Sequence, residues 1–178
     1  ADAADKATNR LLNTGIFKKV VVTPQPRDDG NLDLDIELEE GKSITTSAYI
    51  GTDSYEGLVL GVTYSDLNLR GKMWQFNSRA EHSGRGLLGE VGITEPFFAG
   101  EDLSFNLRTF ALQRSPDGYD KYELGSEASW TWQATDNYTM RGYLGTSFVS
   151  TSSSTMTQDE LGPNDYLNTR VGVVLALD

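Results

Sequence analysis

The stretch Tyr122 to Gln133, YELGSEASWTWQ, alternates for twelve residues without a break. Tyr122, Leu124, Ser126, Ala128, Trp130 and Trp132 fall on one side, and Glu123, Gly125, Glu127, Ser129, Thr131 and Gln133 on the other. A period of two is a β-strand with one apolar and one polar face. A strand inside a soluble domain is usually about half as long. Twelve residues with Tyr and Trp at the ends of the apolar face suit a tilted strand that crosses a bilayer and turns its polar side to a lumen.

Seven further segments repeat this rule: Ser43 to Gly51, Leu58 to Leu69, Lys72 to His82, Leu87 to Phe97, Asp102 to Arg114, Tyr138 to Ser150 and Tyr166 to Asp178. With Lys121 to Ala134 they predict eight antiparallel strands. The connections alternate in length. Leu69-Arg70-Gly71, Ala99-Gly100-Glu101 and Thr135-Asp136-Asn137 are tight, whereas Thr52 to Gly57, Ser83 to Gly86, Ser115 to Asp120 and Thr151 to Asp165 are longer. Short turns at one end and longer loops at the other are the pattern of outer-membrane barrels, with the short turns periplasmic. The last loop is Ser/Thr-rich, which predicts a polar, mobile connection.

The first 42 residues differ. Ala4 to Thr14 has helical composition, with Ala4, Ala7, Leu11 and Leu12 as an apolar stripe and Gly15 placed to end it. Phe17 to Thr23 and Leu32 to Glu39 read as strands, joined by the turn PQPRDDGN. A helix and one hairpin bury too little for a core of their own, so this segment is expected to be the second half of a small α/β domain.

Composition closes off other functions. Only 38% of residues are apolar and no run approaches the roughly eighteen that a membrane helix needs. A net charge of −11 argues against a nucleic-acid partner. Without cysteine, and with His82 as the single histidine, there is no thiol chemistry and no basis for a transition-metal site. The acid pairs Asp28 with Asp29 and Glu39 with Glu40 sit in a turn and a hinge, and no nucleophile motif or phosphate-cradling loop occurs. Neither an enzyme nor a cofactor is expected.

The direction of the apolar face decides the class. Turned outward, it makes Glu90, Arg108, Glu123, Glu127, Arg141 and Arg170 line a lumen. Turned inward, it describes a soluble lipocalin-like binding barrel with those charges on its surface. Strand length, aromatic placement and loop asymmetry favour outward.

The runs RLLNTGIFKKVVVTP and LDLDIELEEGK resemble the closing helix and hairpin of a POTRA domain. AYIGTDSYEGLVLGVTYSDLNLRGKMWQFNSRA and GEVGITEPFFAGEDLSFNLRTF resemble the opening strands of the barrel in BamA-type outer-membrane assembly factors. The resemblance implies a fragment, with 1–42 the end of a periplasmic POTRA domain and 43–178 the first eight strands of a sixteen-stranded antiparallel transmembrane barrel. A TamA-type autotransporter factor and a complete small outer-membrane barrel share these features. The implied function is the folding and insertion of nascent outer-membrane proteins, inactive in the fragment alone. The first barrel strand, Ser43, Ile44, Thr45, Thr46, Ser47, Ala48, Tyr49, Ile50 and Gly51, would serve as a lateral gate. The implied partners are outer-membrane lipid, periplasmic lipoproteins or chaperones at the POTRA segment, and the remaining barrel half or another chain.

Overall fold

The computed structural model describes residues 2–27, 32–100, 102–135, 137–153 and 155–177. The expected turn residues 28–31, Glu101 and Asp136, the expected final strand residue Asp178 and the side chain of Ala4 lie outside them. The N-terminal segment is a helix α1 (Asp2–Asn13), then strands β1 (Phe17–Pro26) and β2 (Leu32–Glu40), which pair with each other in a sheet of two. Gly15 ends the helix at φ 71°, where a side chain would be strained, and its N–H donates to the Leu12 carbonyl at 3.0 Å. The helix packs on β1, which buries Ile16 and Val20. Of the expected stripe Leu11 is half-buried, but Ala7 and Leu12 are exposed, because the hairpin offers the helix only β1 to cover. Leu34, Ile36 and Leu38 on β2 stay exposed as well. β1 runs three residues further than expected, through Pro24 and Pro26. A proline costs no ladder bond on an edge strand, where its missing donor can face outward.

Eight strands form the second sheet: β3 (Ile44–Asp53), β4 (Gly57–Leu69), β5 (Trp74–Ser83), β6 (Gly86–Glu95), β7 (Leu103–Arg114), β8 (Asp120–Thr135), β9 (Tyr138–Ser152) and β10 (Asp165–Leu177). Each pairs antiparallel with the next, in the order β10-β9-β8-β7-β6-β5-β4-β3. The sheet is not closed. β3 and β10 are its two edges.

Most strand ends lie one or two residues from the expectation, and two of these differences have local reasons. β5 starts at Trp74 rather than Lys72, because the Asp66 carboxylate accepts from the Asn68 N–H and Asn68 Oδ1 accepts from the Met73 N–H, both at 2.9 Å. These bonds hold a wider turn, with Arg70, Gly71 and Met73 at positive φ. β6 stops at Glu95 because Pro96 has no N–H for the ladder.

The register carries one face through all eight strands. Val62 of β4 aligns through Ala80, Gly89 and Ala111 with Leu124 of β8, Phe148 of β9 and Leu167 of β10, and Phe76 of β5 aligns through Ile93 and Leu107 with Ala128, Leu144 and Val171. This apolar face is largely exposed. The opposite, polar face holds Ser129, Ser147 and Val149, the last at 1% exposure. Burial at that level within a single sheet requires the sheet to curl toward the polar side.

The end with the short turns also carries the N-terminal segment. Arg10 pairs with Asp102 in the β6–β7 connection at 2.8 Å, and a Cβ at Gly15 would stand 3.1 Å from Leu67. At the other end the Ser/Thr-rich loop, expected to be mobile, is held down. Ser153 Oγ donates to the Gly118 carbonyl at 2.5 Å and Thr155 Oγ1 to the same oxygen at 3.1 Å. A short helix α2 (Gln158–Leu161) follows, where Glu160 Oε2 accepts from both the backbone N–H and the hydroxyl of Thr157 at 2.9 Å. These bonds, the backbone one foremost, hold the Glu160 carboxyl below its ordinary range. A depressed folded value means that the turn gains stability above the unfolded value, about 4.3, and loses it as pH falls through the lowered one. Amide signals of 157–161 are therefore expected to move on acidification below about pH 4. Signals that stay fixed through that range would contradict the cap.

Candidate functional site

The candidate site is the free edge at β3. All ten of its residues are exposed, and its hydrogen-bonding direction follows from one contact. The Leu67 N–H donates to the Ser43 carbonyl at 2.9 Å, and the register continues without a shift from Ile44↔Asp66 to Asp53↔Gly57. Hydrogen-bonded and non-bonded pairs alternate along an antiparallel ladder. Thr45, Ser47, Tyr49 and Gly51 therefore bond inward to β4. Ile44, Thr46, Ala48, Ile50 and Thr52 direct their backbone N–H and C=O groups away from the sheet. These same residues place their side chains on the apolar face.

The far edge has the same polarity. The Thr151 N–H donates to the Asn164 carbonyl at 2.6 Å, so the β10 residues paired inward are those of the polar face, Asn168, Arg170 and Gly172 among them. Leu167, Thr169, Val171, Val173 and Leu175 keep their backbone groups free. Either edge can accept an extended strand in antiparallel register.

The six charges expected to line a lumen all stand on the polar face, by the parity of the register. Four of them form a chain of alternating sign across adjacent strands. Arg108 of β7 reaches Glu90 of β6 at 3.1 Å and Glu127 of β8 at 3.8 Å, and Arg141 of β9 reaches Glu127 at 3.2 Å. Glu123 pairs instead with Lys121 at 2.8 Å. Arg170 sits on the edge strand with no ion pair within 4.0 Å among the described residues.

Several participants escaped the sequence reading. Arg79 and Glu81 of β5 share the polar face and pair with each other. Alternation across Trp74–Ser83 carries that signal. Phe110 also lies there, on the face of Asn106 and Arg108, its ring end 2.7 Å from where a Gly125 Cβ would stand. The Arg108 guanidinium lies 5.5 Å from the Phe110 ring centroid. At the loop end Arg114 pairs with Glu56 at 2.8 Å, and Arg85 stacks on Tyr55 at 4.4 Å while its Nε donates to the Tyr55 carbonyl. Expected strand-end His82 is on the apolar face of β5, opposite Leu60 and Leu87.

Among solved structures, BamA from Haemophilus ducreyi lacking POTRA domains 1–3 superposes on the chain with a TM-score of 0.74 at 14% identity. The sheet is similar in fold to the BamA barrel. The match covers 96% of this chain and 36% of the BamA chain, so the chain spans just over a third of that length. No family model and no curated protein matches the sequence. At this identity the BamA likeness is one of fold.

Proposed function

We propose that the chain is part of an outer-membrane assembly factor of the BamA kind, with β3 as the strand on which incoming barrel strands are templated. The observation that carries this is the open edge at β3, whose unpaired backbone groups all belong to residues of the apolar face. In hydrocarbon every backbone donor and acceptor has to be paired. A nascent strand that added to β3 would satisfy its own groups and those of Ile44, Thr46, Ala48, Ile50 and Thr52 together, by β-augmentation. Strands of ten to sixteen residues suffice to cross a bilayer when tilted. The apolar face then meets lipid and the charge chain faces the lumen. The segment 1–42 is the end of a periplasmic POTRA domain, where lipoprotein partners or chaperones would dock.

Proline substitution separates the edge from the ladder. Ala48→Pro removes an outward N–H and leaves the bonds to β4, whereas Ser47→Pro removes an inward one. The native chain has no cysteine, so Ile50→Cys gives a single reporter for disulfide capture of a cysteine-bearing peptide copied from a barrel strand. In detergent micelles, capture is expected at Ile50→Cys, to fall about tenfold or more when Ala48→Pro is added, and to be absent for a reporter at Leu124. Equal capture at Leu124, or indifference to Ala48→Pro, would sink the proposal.

A further inference from the structure

The edge strand is tied to the sheet by one side chain that crosses a whole strand. Tyr49 of β3 pairs with Gly61 of β4, and its ring occupies the space that a Cβ at Gly61 would need. Beyond Gly61 the Tyr49 hydroxyl donates to Glu81 Oε2 of β5 at 2.5 Å, and Arg79 Nε donates to the Tyr49 oxygen at 3.1 Å. Arg79 and Glu81 are themselves paired, and the Arg79 guanidinium lies 6.0 Å from the ring centroid. The lock therefore joins β3, β4 and β5.

This geometry also fixes register. A slip of two residues keeps each side chain on its own face, but would bring Val59 or Thr63 under the Tyr49 ring in place of Gly61. Either side chain would fill the space the ring now uses. At the opposite edge the arrangement is reversed. Tyr143 of the inner strand β9 covers Gly172 of the edge strand β10, and its hydroxyl has no hydrogen bond among the described residues. β10 thus contributes only a glycine to its own clamp.

We infer that Tyr49 is a positioning residue that latches β3 in one register while leaving its outer edge free to pair, so that β10 is the looser edge of the sheet. The inference rests on β3 being the templating strand. A template is useful only if its donors and acceptors keep fixed positions while a partner strand pairs with them.

The test is amide hydrogen exchange on the full chain in detergent micelles, for the native protein, Tyr49→Phe, Tyr49→Ala and Glu81→Gln. Tyr49→Phe keeps the ring over Gly61 and loses the hydroxyl bonds. It is expected to speed exchange about tenfold at Thr45, Ser47, Tyr49 and Gly51, which bond to β4. Tyr49→Ala is expected to exceed it, Glu81→Gln to fall between native and Tyr49→Phe, and the amides of β7 and β8 to stay unchanged. In the native chain the inward amides of β10 are expected to exchange faster than those of β3. Unchanged exchange at β3 in Tyr49→Phe, or an equal rise in every strand, would overturn the latch. Peptide capture at Ile50→Cys, run on the same variants, keeps the two proposals apart. Failed capture in all proteins with a local rise at β3 removes templating and leaves the latch. Normal capture with no change at β3 removes the latch alone.

Discussion

Replacing Glu127 by alanine is expected to lower the stability of the folded chain in micelles by about 2 kcal/mol, the largest effect of any single charge on the sheet. Among the described residues Glu127 is the one acid in ion-pair contact with two guanidiniums. Its oxygens stand 3.8 Å from Arg108 and 3.2 Å from Arg141, and its side chain is only 13% exposed. Losing it leaves Arg141 without its acid and Arg108 with Glu90 alone. Breaking a fully buried pair costs about 3–5 kcal/mol. The arginine side chains are 38% and 47% exposed, so water recovers part of that cost. The urea midpoint measures the loss, and adding Arg141→Gln to Glu127→Ala should restore about half of it by removing the stranded cation. Raising the salt concentration should narrow the gap between native and Glu127→Ala. A variant with the native midpoint at low salt would show the chain of charges to be energetically idle.

Gly86→Ala is expected to do at least as much damage by a different route, about 3 kcal/mol. Gly86 opens β6 opposite Arg114 of β7. A Cβ there would collide with the Gln113 carbonyl oxygen, and would lie 2.9 Å from the Gln113 carbonyl carbon and 3.0 Å from Arg114 Cα. Those atoms are backbone, so the strain cannot be relieved by a rotamer change. The two strands must separate at this end, weakening the bond from the Ser115 N–H to the Arg85 carbonyl, now 2.7 Å. Gly89→Ala, three residues along the same strand, is the control, because a Cβ there meets nothing within 4 Å. Equal unfolding midpoints for the two variants would contradict the packing described here.

Much of the fold can be read from alternation, since a β-strand sends successive side chains to opposite faces whatever surrounds it. That is why the eight strands are legible in the sequence to within a few residues, and why Glu127 and Arg141 fall on one face by alternation alone. Boundaries were misread where a local bond or a missing donor intervened, as at the Asn68 turn and at Pro96. Phe110 falls with Ser104, Asn106 and Arg108 by alternation, but room for its ring on the polar face depends on Gly125 of the next strand, which nothing within β7 signals.

The candidate site was legible in part. The first strand of the sheet was expected to serve as a lateral gate, an edge that opens. Tyr49 points the other way, because its hydroxyl bonds reach residues thirty and thirty-two positions along the chain. By itself the sequence determined the strands, their faces and the uneven connections, all of which follow from a period of two and the chemistry of Gly, Pro and Asn. Only the tertiary structure decided which carboxylate meets which guanidinium, which glycine lies under which ring, and which backbone groups are left unpaired. Those depend on register between strands far apart in sequence, and register is a property of the pairing rather than of any one strand.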